Sequence, residues 1–134
     1  MSVDDREYVG IVLVSHSDAI AEGLKDLLRQ FAAEHVAIVA AGGGPDGSLG
    51  TDSDRIAAAI AEAGAGRGAV VLMDMGSAVL SVRSALTDAE GIEATMADAP
   101  LVEGAVAAAV AASGGADLAG VVTAAEEARV VGKL

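Results

Sequence analysis

The chain has 134 residues and no cysteine, which suits one domain over residues 1–134 without disulfides or thiolate metal sites. Its formal net charge of −12 at pH 7 opposes nucleic-acid and anionic-membrane partners, and favours a basic protein partner. One Tyr, one Phe and no Trp leave almost no aromatic surface for stacking bases.

The first predicted element is a buried strand that ends at a histidine. Residues 9–15 read Val-Gly-Ile-Val-Leu-Val-Ser, an apolar run typical of a strand buried on both faces. Apolar residues then recur at helical spacing, at Ile20, Leu24, Leu27, Leu28 and Phe31, and Ser17 or Asp18 is placed to cap that helix. His16 therefore lies where a strand gives way to a helix.

His35, where this helix is expected to end, is interpreted as structural because a histidine there favours the helix dipole.

The remaining elements alternate between strands and helices. Strands are predicted at residues 36–40, 69–73 and 92–96, the last at a sheet edge because Glu93 interrupts it. Helices are predicted after Thr51 or Asp52, after the turn at residues 75–77, after Pro100, and over residues 117–131. This alternation predicts right-handed crossovers and a three-layer α/β fold, with a doubly wound, mainly parallel sheet of order 2-1-3-4.

Two polar residues occupy equivalent places in this arrangement. His16 follows the first strand and Asp74 follows the third. In the order 2-1-3-4 these strands are neighbours at the switch point, so the two side chains are expected to face each other. A carboxylate that accepts one ring N–H leaves the other ring nitrogen unprotonated and nucleophilic. Asp74 could instead cap the next helix, but Ser77 is closer to that helix and could cap it in place of Asp74.

A glycine-rich loop after the second strand matches G-x-G-x-x-G at residues 42–47. We reject a dinucleotide site there, because Pro45 and Asp46 interrupt the motif and the next helix starts only near Thr51. The loop is interpreted as a rim beside the site, and Thr51 and Asp52 as caps or as side chains that reach the crevice. With two distant histidines and no cysteine, no metal and no cofactor is expected.

Four motifs in order resemble a known family. They are Val-Ser-His-Ser at 14–17, Gly-Thr-Asp at 50–52, Met-Asp-Met-Gly-Ser-Ala at 73–78 and Ala-Pro-Leu-Val-Glu-Gly at 99–104. Together they are similar to the mannose-family EIIA domain, and more narrowly to the phosphotransferase subunit of phosphoenolpyruvate-dependent dihydroxyacetone kinase. The resemblance covers essentially the whole chain.

The resemblance implies a flavodoxin-like fold, a homodimer, and a phosphorylated histidine at His16 oriented by Asp74. Residues matching the family's site lining are Ser15, Ser17, Thr51, Asp52, Gly76 and Ser77. The implied phosphoryl donor is HPr, expected to be a separate protein because the chain ends at Leu134. The implied acceptor is ADP held on the nucleotide-binding subunit of the kinase.

Two other functions stay open from the sequence. One is the EIIA component of a mannose-family sugar permease, although the turn at residues 75–78 is shorter than the Gly-Gly-Ser-Pro type turn of those relatives. The other is a non-catalytic regulatory α/β module. Residues 1–8 are too charged for a secretory signal and no membrane span is evident, so a cytoplasmic location is expected.

Overall fold

The structure is a computed structural model and describes residues 8–134. Four parallel strands form one sheet in the order β2-β1-β3-β4, as predicted. The strands are β1 (Gly10–Ser15), β2 (Ile38–Gly42), β3 (Ala69–Met73) and β4 (Ala94–Met96). The helices are α1 (Asp18–Leu28), α2 (Ser53–Ala63), α3 (Ala78–Asp88), α4 (Leu101–Ser113) and α5 (Leu118–Glu127), with a 3-10 turn at Ala128–Val130.

The sheet is buried on both faces, and alternate residues of β1 enter two separate cores. Ile11 and Leu13 pack with α1, α4 and α5 on one face. Val12 and Val14 pack with α2 and α3 on the other. A strand buried on both faces needs no polar residue until it ends, so the first polar side chains of β1 come at its carboxyl end.

The helices contact the sheet largely through small side chains. The buried residues of α4 include Ala105, Ala108, Ala109 and Ala112, and those of α3 are Ala78, Val82 and Ala85. Small residues let a helix lie close to the sheet, which fits a protein with one Phe and one Tyr. The larger aliphatic side chains of these helices are consequently free to face outward.

Most element boundaries agree with the predictions. Strand β3 coincides with residues 69–73, and Asp52 caps α2 by accepting the Asp54 N–H at 3.0 Å. Ser17 caps α1 by accepting the Ile20 N–H at 3.3 Å. Strand β2 begins two residues later than predicted, and β4 is a three-residue edge strand.

The predicted position of His35 at the end of α1 was wrong. Helix α1 ends at Leu28, seven residues earlier, so His35 is not at its end. The chain turns back towards β2 instead, because the Ala33 N–H donates to Ser113 Oγ of α4 at 2.7 Å and the Arg29 guanidinium donates to the Val36 carbonyl at 3.0 Å. These tertiary contacts override a sequence that would otherwise continue as a helix.

The apolar residues that recur at helical spacing in and just after α1 fall into a buried set and an exposed set. Leu24 and Leu28 are buried, as a core-facing stripe requires, whereas Ile20, Leu27 and Phe31 are exposed. Leu80 in α3 is exposed as well. Within residues 8–134 no helix has the length and hydropathy needed to cross a membrane.

Gly10 sets how closely α2 approaches β1, which gives a stability prediction. A Cβ at Gly10 would overlap the Ala63 carbonyl of α2, so Gly10→Ala should lower the free energy of unfolding by about 1–3 kcal/mol. The matched control is Gly23→Ala in α1, where a Cβ meets nothing within 4 Å and about 0.5–1 kcal/mol should be gained. Urea denaturation of both variants measures the difference, and equal effects would contradict the close approach.

Candidate active site

His16 and Asp74 lie side by side because their strands are neighbours. Val14 of β1 pairs with Met73 of β3 in parallel register. The Asp74 N–H donates to the Val14 carbonyl at 3.1 Å, which extends this pairing by one residue. The residues after the two strand ends are therefore held face to face, as the sequence predicted.

The carboxylate of Asp74 accepts three hydrogen bonds. Its Oδ1 lies 2.9 Å from Nδ1 of His16. Its Oδ2 accepts the His16 backbone N–H at 2.9 Å and the Ser15 hydroxyl at 2.9 Å. Because a carboxylate only accepts, Nδ1 carries the proton, and Nε2 of the neutral ring keeps its lone pair.

Ser15 connects this carboxylate to the start of α1. Its side chain is buried, and its Oγ accepts the Ser17 N–H at 3.0 Å while donating to Asp74. Ser17 in turn caps α1. The Asp74 carboxylate, Ser15 and the first turn of α1 therefore form one continuous hydrogen-bonded unit around the histidine.

Ser77, which the resemblance assigns to the site lining, lies beside His16 and does not cap α3, the other role that the sequence left open for it. Its backbone is helical and its side chain makes no capping hydrogen bond. Instead Ser77 Oγ lies 3.0 Å from Nε2 of His16. In the neutral ring, whose single proton lies on Nδ1, the Ser77 hydroxyl donates to the Nε2 lone pair. The second ring nitrogen therefore has a partner that can rotate away about a single torsion.

Several hydrogen bonds shift the pKa of Asp74. Burial raises it, but the His16 backbone N–H, the His16 ring and the Ser15 hydroxyl together lower the pKa of this carboxyl below its usual 3.8. Asp74 is consequently ionised at neutral pH, which the assignment of the proton to Nδ1 requires.

The glycine loop is fastened at both ends to the end of β1. The Gly43 N–H donates to the Ser15 carbonyl at 3.1 Å, and the Gly50 N–H donates to the His16 carbonyl at 2.9 Å. Gly42 admits no side chain, because a Cβ would lie 2.7 Å from the Ser17 carbonyl oxygen. The glycines thus serve a close backbone contact beside His16.

Thr51 and Asp52 support the site indirectly. Thr51 Oγ1 lies 2.6 Å from Ser81 Oγ of α3, which links the start of α2 to α3. Asp52 is the cap of α2, and neither side chain hydrogen-bonds to His16 or Asp74. Gly76 is exposed, with no atom within 4 Å of a Cβ built there, so space is open beside Ser77.

An open cleft of about 420 Å³ adjoins Asp74 and reaches to the end of β4. Its lining includes Met73, Met75 and Met96, together with Arg83 of α3. No motif in the sequence predicts this cleft, because the three thioethers come together only through the pairing of β3 with β4. Flexible thioethers adapt to differently shaped apolar groups.

Comparison with known proteins places these residues in a family. The model of the EIIA-man family, described as the PTS system fructose IIA component, matches residues 10–122. The chain belongs to the EIIA-man family. This confirms the resemblance given by the four motifs.

Curated relatives of this EIIA-man chain include subunits described as phosphoryl donor subunit DhaM of PEP-dependent dihydroxyacetone kinases. One from Listeria innocua is 45% identical over 105 residues, covering 76% of this chain and 84% of the relative. The DhaM phosphotransferase subunit of Lactococcus lactis is 40% identical over 109 residues, covering 80% and 85%. The Escherichia coli K12 subunit is 38% identical over 116 residues, but the chain spans only 25% of it.

A solved structure supports the fold of this EIIA-man chain. The crystal structure of EF1359, described as a protein of unknown function, has a TM-score of 0.78 and 40% sequence identity. The match covers 88% of this chain and 92% of EF1359. The predicted α/β fold is therefore confirmed.

The lowered pKa of Asp74 gives a prediction about stability and pH. An acid whose pKa falls on folding stabilises the fold above its unfolded pKa, and that stabilisation is lost as pH falls through the folded pKa. The wild type should therefore exceed Asp74→Asn in free energy of unfolding at neutral pH, and this difference should shrink below about pH 4. Asp88→Asn, at the exposed end of α3, controls for the loss of one negative charge. A difference that grows in acid would contradict the geometry.

Proposed function

We propose that this chain is the phosphoryl carrier of a phosphoenolpyruvate-dependent dihydroxyacetone kinase, acting as a cytoplasmic homodimer. It accepts a phosphoryl group from phospho-HPr on His16 and passes it to ADP on the nucleotide-binding subunit of the kinase. The DhaM descriptions of the relatives support the kinase. The observation that carries the chemistry is the hydrogen bond from Nδ1 of His16 to Asp74, which leaves Nε2 as the nucleophile.

In the first step the Nε2 lone pair attacks phosphorus in line with the bond to the donor. The bond between phosphorus and Nε2 forms as the bond between phosphorus and the donor breaks, and the donor keeps the electron pair. The ring then carries positive charge, which the adjacent Asp74 carboxylate stabilises at 2.9 Å from Nδ1. The proton stays on Nδ1, so no base is needed.

Ser77 must release Nε2 before the attack. Its hydroxyl donates to the same lone pair that forms the new bond. Rotation of the Ser77 side chain frees that lone pair and turns the hydroxyl towards a phosphoryl oxygen. The exposed turn at residues 75–77 offers backbone N–H groups in the same region, and hydrogen-bond donors there stabilise charge on the transferring group.

In the second step a terminal oxygen of ADP attacks phosphorus. The bond to Nε2 breaks, the ring recovers its lone pair, and ATP is formed on the kinase subunit. The bond between phosphorus and an imidazole nitrogen keeps the group activated, so no further energy source is required. Asp74 again fixes the ring, because the proton on Nδ1 does not move in either direction.

Two alternatives remain. In a sugar permease the same phosphohistidine would pass its group to a membrane-associated sugar component. The short turn at residues 75–78 and the DhaM relatives favour the kinase. In a regulatory module His16 would carry no phosphoryl group. The hydrogen bond that holds Nδ1 and the access to Nε2 would then serve no chemical step.

His16 should be the sole phosphorylation site, because it combines a carboxylate at Nδ1 with an accessible Nε2. The wild type and His35→Ala should each gain one phosphoryl group with phosphoenolpyruvate, enzyme I and HPr, and His16→Ala should gain none. Intact mass at neutral pH measures the gain, since phosphohistidine is acid-labile. Labelling that persists in His16→Ala would remove this histidine from the mechanism.

The acceptor is tested with phosphorylated protein separated from the relay. The phosphorylated protein is mixed in three separate reactions with the ADP-loaded kinase subunit, with free ADP and with sugar permease components. Loss of the phosphoryl group should occur only with the kinase subunit, and ATP should appear on that subunit. Rapid transfer to the permease alone would favour the permease alternative, and absence of any phosphohistidine would favour the regulatory module.

A further inference from the structure

Arg55, in the first turn of α2, directs its side chain to a backbone carbonyl and not to a carboxylate. Its Nη1 donates to the Gly42 carbonyl at the end of the edge strand β2. Within residues 8–134 no carboxylate forms an ion pair with Arg55, although the chain has 20 Asp and Glu residues against 8 Lys and Arg. A half-buried guanidinium whose charge no neighbour neutralises therefore holds this carbonyl.

The Gly42 carbonyl and the Gly43 N–H belong to one planar peptide unit. The oxygen of this unit accepts from Arg55, and its N–H donates to the Ser15 carbonyl at 3.1 Å. Both residues that flank the unit are glycines, and glycine has more backbone freedom than any other residue. Arg55 therefore restrains a peptide unit that the sequence itself leaves mobile.

The Ser15 carbonyl belongs to a second peptide unit, which it shares with the His16 N–H. That N–H donates to Asp74 Oδ2 at 2.9 Å. The other carboxylate oxygen, Oδ1, lies 2.9 Å from Nδ1 of the His16 ring. Two planar peptide units therefore connect the Arg55 guanidinium to the carboxylate that orients the ring.

The hydrogen bonds of this connection all run in one direction. The guanidinium donates at one end, each peptide unit accepts through its oxygen and donates through its N–H, and the Asp74 carboxylate accepts at the other end. Hydrogen bonds in such a chain polarise one another, and bonds to ionised groups are the stronger ones. The positive charge at the start and the negative charge at the end therefore strengthen the same set of contacts.

We propose that Arg55 is a positioning residue for the phosphoryl exchange at His16, acting through these two peptide units on Asp74. This rests on the proposed function. The oriented carboxylate keeps the proton on Nδ1 and aims the Nε2 lone pair. Small errors in the placement of a reacting group are costly in rate. Arg55 hydrogen-bonds to neither the ring nor the carboxylate, so its contribution is to hold the backbone between them.

Arg29 provides a matched control at the opposite end of the same strand. Its Nη1 donates to the Val36 carbonyl at 3.0 Å, two residues before β2 begins. Because β2 runs parallel to β1, this contact lies at the amino-terminal end of the sheet and His16 lies at the carboxyl end. Replacing either arginine by methionine removes one positive charge and one side-chain hydrogen bond to a backbone carbonyl.

The kinetic test compares the two methionine variants. Arg55→Met should lower kcat for phosphorylation by phospho-HPr about tenfold and change KM less than about twofold, because the ring is disturbed and not the binding of the donor. Arg29→Met should match the wild type. Phosphoramidate, a small phosphoryl donor that needs no protein surface, should also react about tenfold more slowly with Arg55→Met. Arg55→Lys should recover most of the rate, because an ammonium group can donate one charge-assisted hydrogen bond.

Amide hydrogen exchange in the unphosphorylated protein tests the connection without any phosphoryl transfer. The Gly43 and His16 N–H groups should exchange about tenfold faster in Arg55→Met than in the wild type, because the peptide units open locally. Arg29→Met should leave both rates unchanged. Urea denaturation establishes that the two variants are equally stable, and Arg55→Gln replaces Arg55→Met in the comparison if they are not.

The outcomes distinguish this proposal from the proposed function. Wild type that takes no phosphoryl group from phospho-HPr would refute the proposed function and the role of Arg55 in it. Wild type that is phosphorylated while Arg55→Met keeps the rate of Arg29→Met would overturn the Arg55 proposal alone. Slowing with phospho-HPr but not with phosphoramidate would also overturn it, since Arg55 would then act on the partner and not on the ring. Unchanged exchange at the Gly43 and His16 amides would contradict the connection itself.

Discussion

The hydrogen bond between Asp74 and Nδ1 of His16 is the contact on which the site depends. It exists because β1 and β3 are neighbours and end at the same level of the sheet. The same carboxylate also accepts the His16 N–H and the Ser15 hydroxyl, so side chain and backbone of the histidine are fixed together. One acceptor therefore determines the ring orientation, its tautomer and the nitrogen that stays reactive.

The strand that leads to this arrangement, β1, is apolar until it reaches Ser15. Both faces of β1 are apolar up to Ser15, and Ser15 is buried with both its hydrogen-bonding functions used. An unpaired hydroxyl there would be costly. Burial raises the pKa of Asp74, but the hydrogen bonds from His16 and from the Ser15 hydroxyl outweigh it and keep the carboxyl ionised at neutral pH.

Much of this was predictable from the sequence. Continuous apolar runs in alternation with helical patterns predicted the strand order, and the strand order alone predicted that His16 would face Asp74. The direction in which individual hydrogen-bond donors point could not be predicted from the sequence. The resemblance assigned Ser77 to the site lining, but only the three-dimensional path of the turn shows that its hydroxyl contacts Nε2 of His16. The end of α1 was likewise decided by a contact with Ser113, 80 residues away.

Periodicity was least informative about which apolar residues of a helix are buried. In α1 the spacing contained a buried pair, Leu24 and Leu28, and an exposed set that includes Ile20. Hydrophobic scales rank Ile and Leu above Ala, so they assign the core to the wrong residues when helices pack through alanine. The large aliphatic residues left outside the core occur in several elements, among them Ile20 in α1, Leu80 in α3 and Val110 in α4.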